Sequence, residues 1–169
     1  MLNERREQIA GNLAAVRERI ATAAAKAGRD PREITLVAVT KTYPAADVLH
    51  LAALGVVDVG ENRDQEAAPK AAETAAAGVD LRWHFIGQLQ RNKARSVASY
   101  AAMVHSVDSV RLASALDAAA GRARDEGRPG PLDALVQISV DGDPQRGGAL
   151  AAGDDPDRAL LRVAAARAA

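Results

Sequence analysis

The chain has 169 residues, 22 Lys and Arg against 22 Asp and Glu, no Cys, and four aromatics, Tyr43, Trp83, Phe85 and Tyr100. Zero net charge supplies no overall field to draw it to nucleic acid or an acidic membrane surface, and the missing Cys excludes a disulfide scaffold, thiolate catalysis and Cys-ligated zinc. With 48% hydrophobic and 26% charged residues, the composition predicts one soluble globular domain over residues 1–169.

Asn3 to Ala27 carries Ile9, Leu13, Val16 and Ile20 at helical spacing, and Gly28 stands where a helix C-cap belongs. The residues after Met1 lack the apolar stretch of a secretory signal, and Ile34 to Val39 is far too short to span a bilayer, so a cytoplasmic location is expected. Glu33 to Thr40 is β-branched and apolar nearly throughout, which predicts a strand buried on both faces. A short helix, Ala45 to Leu54, follows Pro44 and ends at Gly55. Val56 to Gly60 reads as a second strand, Asn62 to Ala77 as a helix that Pro69 bends or interrupts, and Arg82 to Gly87 as a third strand. Asn92 to Tyr100 is a short helix and Met103 to Val107 a fourth strand, after which Ser109 caps a helix reaching Glu126. Leu132 to Val140 is the fifth strand, Asp141 to Asp155 a Gly- and Asp-rich loop, and Pro156 to Ala168 a last helix.

Such alternation predicts an α/β fold with a parallel sheet of right-handed βαβ units. A doubly wound open sheet and a (β/α)8 barrel compete. Length favours the open sheet, since a barrel usually needs about 250 residues.

Lys41 ends an otherwise apolar strand, and alternation puts Thr35, Val37, Val39 and Lys41 on one face, with Leu36 and Ala38 on the helix side. A lysine in an apolar site tends to lose its proton, which makes its amine a nucleophile able to form a Schiff base. The alternative is a strand-end lysine reaching solvent. Asn62, in Gly60-Glu61-Asn62-Arg63, either offers an amide to a ligand or simply caps the next helix. Trp83 and Phe85 share one face of their strand and belong to the core between sheet and helices; His84 and Ile86 share the other. His84 is as readily structural as functional, and His105 ends the fourth strand in the same manner. The chain has no G-x-G-x-x-G after its first strand, no Walker A sequence and no H-E-x-x-H, and its three histidines are too scattered for a metal site.

Four stretches together resemble the pyridoxal-phosphate homeostasis proteins, whose barrel is like the N-terminal domain of alanine racemase. They are Val37-Ala38-Val39-Thr40-Lys41, Gly60-Glu61-Asn62-Arg63, Trp83-His84-Phe85-Ile86-Gly87 through Leu89-Gln90-Arg91-Asn92-Lys93, and His105-Ser106-Val107-Asp108-Ser109. The resemblance implies a partial (β/α)8 barrel of the alanine-racemase type, with five parallel strands and a leading helix. It implies pyridoxal 5′-phosphate (PLP) held as an aldimine on Lys41 and Asn62 beside the ring, with Val39, Ile86 and His84 completing the cofactor contacts. The family's later Ser-containing loop and Arg-Ile-Gly-Ser/Thr stretch, which bind the phosphate and the pyridine nitrogen, have no counterpart in this chain. The expectation is therefore a C-terminally truncated member. Its implied function is intracellular PLP homeostasis without an established reaction, with PLP, and amino acids or PLP-dependent apoenzymes, as partners, and no nucleic acid or membrane. The alternatives are a racemase-like PLP enzyme acting on amino acids and a doubly wound domain for another phosphate ligand.

Overall fold

The computed structural model describes residues 2–143 and 146–150. Four βα steps and a fifth strand follow the leading helix in chain order. The elements are α1 (Leu2–Lys26), β1 (Ala38–Val39), α2 (Ala45–Ala53), β2 (Asp58–Glu61), α3 (Asp64–Ala76), β3 (Arg82–Phe85), α4 (Ala94–Tyr100), β4 (Ala101–Val107), α5 (Val110–Asp125) and β5 (Asp133–Val136). Two short strands follow, β6 (Ile138–Ser139) and β7 (Ala149–Leu150).

Strands β1 to β5 form one parallel sheet in the order β1-β2-β3-β4-β5. That order decides the architecture. A doubly wound sheet reverses its strand order at a switch point, whereas sequential right-handed crossovers put every helix on one face. Two apolar clusters occupy that face. Leu13, Val48, Val56, Val59, Ala71 and Trp83 form one, with Leu36 and Ala38 packed against it. Phe85, Leu89, Val97, Val104, Val107, Leu112 and Leu116 anchor the other. Trp83 and Phe85 thus point to the helices as the alternation requires, and Tyr100 meets Trp83 edge-on, with ring centroids 6.5 Å apart and planes at 88°. Burying each large side chain of this set stabilises the fold by about 1.5–3 kcal/mol. The partial-barrel arrangement follows from the strand order and the one-sided helices.

Four details differ from the sequence reading. The first strand contracts to Ala38–Val39, because Asp30 and Pro31 start a 3-10 turn over Pro31–Glu33 and Asp30 accepts the Arg32 N–H at 2.9 Å. β2 begins only at Asp58, so few residues find a ladder partner before the chain turns at Lys41. Pro69 does not interrupt α3, which runs through it. Pro69 and Gln65 are both exposed, leaving the carbonyl that loses its donor on the solvent side. The fifth strand divides at Gln137, whose N–H donates to the Val107 carbonyl while its own carbonyl accepts from Ala149. The stretch read as loop accordingly contains β7, parallel to β6, and Gly148 allows the approach, since a Cβ there would lie 2.6 Å from the Ser139 nitrogen. The helix expected over Pro156 to Ala168 lies outside the described residues.

Candidate functional site

The sheet register lines up side chains at the carboxyl ends of the strands. Val39 lies beside Gly60, Gly60 beside His84, and His84 beside Met103. Two residues further along, with the same parity, come Lys41, Asn62, Ile86 and His105. Val39, His84, Ile86 and His105 lie on the sheet face away from the helices, whereas Lys41 falls in the turn past the end of β1. A Cβ on Gly60 would come within 3.3 Å of Ile86 Cδ1 and Val37 Cγ1 and 3.5 Å of Val39 Cγ2, so the glycine lets three apolar side chains close over the strand. The expected grouping of Val37 and Val39, with Leu36 and Ala38 turned to the helices, is therefore observed.

Asn62 is held from behind. Gly87 sits so close that a Cβ there would lie 2.2 Å from the Asn62 carbonyl oxygen, which only glycine permits. The Ser106 hydroxyl donates to the Gly87 carbonyl at 2.6 Å, and Ile86 N–H donates to the Glu61 carbonyl at 2.9 Å. The Asn62 side-chain oxygen is buried and has no hydrogen-bond partner among the described residues. A buried amide acceptor without a donor costs stability, and such atoms in native proteins commonly await a ligand or water.

Lys41 is exposed and occupies a tight turn after β1, closed by the Tyr43 N–H donating to the Thr40 carbonyl at 3.1 Å. The apolar surroundings used to argue for a reactive amine are thus below it, at Val37 and Val39, rather than around it. Thr42 has φ +67°, a left-handed conformation unusual for a β-branched residue. Side chains from β2 and α3 hold this turn. Lys70 Nζ donates to the Thr40 carbonyl at 2.9 Å and to Glu61 Oε1 at 2.7 Å, and the Thr40 hydroxyl donates to the same Glu61 oxygen at 2.8 Å. Glu66 Oε2 accepts the Thr42 N–H at 3.1 Å. The Glu61 side chain is 1% exposed and that of Lys70 12%, which makes this a buried ion pair on the helix side of the sheet.

A second polar chain crosses the opposite face. Asp58 Oδ1 lies 2.8 Å from His84 Nε2, and His84 Nδ1 lies 2.9 Å from His105 Nε2. With Asp58 ionised and both rings neutral, the network assigns the tautomers: His84 donates from Nε2 to the carboxylate and accepts at Nδ1 from His105 Nε2–H. His105 then keeps a free lone pair on Nδ1. Burial, and secondarily His84, holds its pKa below the ordinary histidine value.

Of the residues expected from sequence, Val39 and His84 flank Gly60 in the sheet register, Asn62 and Ile86 follow just past the β2–β3 pairing, and Lys41 lies in the turn beyond β1. Glu61, Lys70, Thr40 and Asp58 carry no signal in the sequence that marks them as site residues, and the sequence gives His105 no role. No group of three or more His, Asp or Glu suited to a metal ion occurs among the described residues.

No protein-family model matches the chain. Individual proteins do. It is 47% identical over 153 residues to the pyridoxal phosphate homeostasis protein of Mycobacterium leprae, covering 86% of this chain and 60% of that one. It is 40% identical over 144 residues to the protein of the same name from Escherichia coli, covering 83% of this chain and 58% of that one. The chain is a homologue of the pyridoxal phosphate homeostasis proteins. Among solved structures it resembles PipY of Synechococcus elongatus with PLP bound, at TM-score 0.68 and 37% identity, over 91% of this chain and 62% of that one. The chain spans about 60% of the length of the homeostasis proteins it matches. The α/β architecture with five parallel strands agrees with this relationship.

Proposed function

We propose that this chain binds PLP covalently and reversibly through Lys41, and that its role is to hold and deliver the cofactor in cytoplasmic PLP homeostasis rather than to catalyse a reaction. The observation that carries the reading is the buried, unpartnered amide oxygen of Asn62 just past β2, the strand that pairs with β1 through Val39 and Gly60, with the exposed primary amine of Lys41 in the turn just past β1. When bound, PLP supplies an aldehyde that condenses with a primary amine to form a C=N bond and release one water. The residues present fit such a group. Val37, Val39 and Ile86 provide an apolar floor over Gly60 for one face of a flat ring, and Asn62 orients it through the amide left without a partner. His84 lies one layer down, fixed by Asp58, and shapes the floor from beneath. The names borne by the relatives, and PLP bound in PipY, support the cofactor. The protein would exchange PLP with amino acids or with apoenzymes that need it.

The test is borohydride reduction of the chain after incubation with PLP, followed by peptide mass mapping. A pyridoxyl group on Lys41, with a visible absorption band before reduction, is the expected result. The chain has only three other lysines, Lys26, Lys70 and Lys93. Label on one of these, or on none, overturns the assignment.

A further inference from the structure

The turn that carries Lys41 is held by another element's side chains. Thr42 occupies the left-handed region at φ +67°, where a β-branched side chain is strained, and such strain persists only where neighbours over-determine it. Those neighbours are identifiable. Glu66 and Lys70 are four residues apart on α3, hence on one face of that helix, and both reach the turn. Glu66 takes the Thr42 N–H, and Lys70 takes the Thr40 carbonyl, so the residues on either side of Lys41 are fixed while Lys41 itself is left exposed. Lys70 is in turn fixed by Glu61, which also binds the Thr40 hydroxyl. An unrestrained turn would relax away from the left-handed conformation and carry the Lys41 backbone with it.

We infer that Glu66 and Lys70 of α3, with Glu61 behind them, are positioning residues that hold the Thr40–Tyr43 turn and so set the reactivity of the Lys41 amine toward aldehydes. The inference rests on the reading of Lys41 as the reactive amine, and it deepens that reading by naming what aims it.

Two probes separate the two claims. One is PLP, followed by its visible band. The other is formaldehyde with cyanoborohydride, which condenses with an amine, expels water and delivers hydride to the carbon to leave a methylamine. The rate at Lys41 is compared with those at Lys26 and Lys93 in the same molecule. Amide hydrogen exchange of Thr42 in the cofactor-free chain reports the turn itself. Glu66→Ala removes an acceptor at the surface without touching the core, and Glu66→Gln restores a side-chain oxygen. In Glu66→Ala the Thr42 amide should exchange about tenfold faster, as loss of one hydrogen bond implies, and both probes should label Lys41 several-fold more slowly relative to the other lysines. Glu66→Gln should stay near the parent. The double variant Glu61→Leu with Lys70→Met, which leaves no unpaired buried charge, should reproduce the Glu66→Ala effect at Lys41.

Faster Thr42 exchange with an unchanged Lys41 labelling ratio overturns the inference, as does unchanged exchange. If the parent chain methylates selectively at Lys41 but takes up no PLP, the cofactor reading fails while the positioning of the amine stands. If Lys41 reacts no faster than Lys26 and Lys93 in the parent, there is no set reactivity to explain and the inference falls.

Discussion

The two halves of the sheet are built on different physics. Around β4, α4 and α5 the core is Phe85, Leu89, Val97, Val104, Val107, Leu112 and Leu116, filled in by alanines, and Ser106 is the one buried polar residue of these three elements among the described residues. Around β1, β2, β3 and α3 the buried set includes Thr40, Asp58, Glu61, Thr74 and His84. Apolar packing is non-directional and tolerates volume-conserving exchange, whereas a buried ion pair or hydrogen-bonded chain accepts one geometry and is costly when broken. The first half makes the sheet stable. The second spends stability to place a few atoms, and those atoms surround Lys41 and Asn62.

The largest effect should expose that contrast. Lys70→Met alone leaves Glu61 charged, buried and unpaired, and is expected to destabilise the chain by about 3–5 kcal/mol. The double variant Glu61→Leu with Lys70→Met should return to within about 1–2 kcal/mol of the parent in denaturant unfolding, because apolar residues often replace a buried pair without net loss. A double variant as unstable as Lys70→Met would show that the pair is there for stability, and the contrast would break. In the apolar half, Leu116→Ala should cost about 2–5 kcal/mol through lost burial and a cavity, with the labelling ratio of Lys41 unchanged. A changed ratio would mean that the two halves are not separable.

A smaller effect sharpens the picture at one backbone position. At φ +67° glycine is unstrained and alanine is not, so Thr42→Gly should be more stable than Thr42→Ala by about 1 kcal/mol. Elsewhere, where glycine only adds freedom to the unfolded chain, the order of the two variants reverses. Alanine as stable as glycine at this position would show that the left-handed turn is not the conformation in solution.

Legibility in the sequence follows the same division. The strands and helices were readable because Ile, Val and Leu recur with the right periods, and Trp83 and Phe85 took the predicted face. The choice between open sheet and barrel was misdirected by length; the family resemblance pointed to the barrel, and the strand order agrees with it. Lys41 and Asn62 were visible as polar residues at the ends of apolar strands. The Glu61–Lys70 pair was not, because it depends on how α3 rolls onto β2, and in sequence Glu61 is one more polar residue in a turn. Asp58, His84 and His105 come from three strands and meet only through a register that shifts within β3–β4 pairing, between Trp83 and His84. Thr42 was the hardest, since a β-branched residue argues against the very conformation it adopts.

The smallest effect expected is one of pH, and it belongs to the Asp58–His84–His105 chain, which crosses from β2 to β4. His105 is partly open to solvent, and burial, with His84 beside it, lowers its pKa in the folded chain. A base whose folded pKa is depressed binds its proton more readily when unfolded, so stability is fully present above the unfolded value of about 6.5 and declines as pH falls toward the folded pKa. Protonation at the free Nδ1 need not disturb His84, since His105 can go on donating from Nε2; the cost is that of placing charge in a partly desolvated site. Replacing His105 with Gln keeps an amide donor for His84 and removes the titration. Unfolding midpoints measured from pH 7.5 to 5 should fall more steeply for the parent than for His105→Gln, and converge in slope above about pH 7. Leu116→Ala should run parallel to the parent throughout, because the apolar cluster contains nothing that titrates. Parallel curves for parent and His105→Gln would mean that the ring is as free to charge in the fold as out of it, and burial would then not be holding the neutral form.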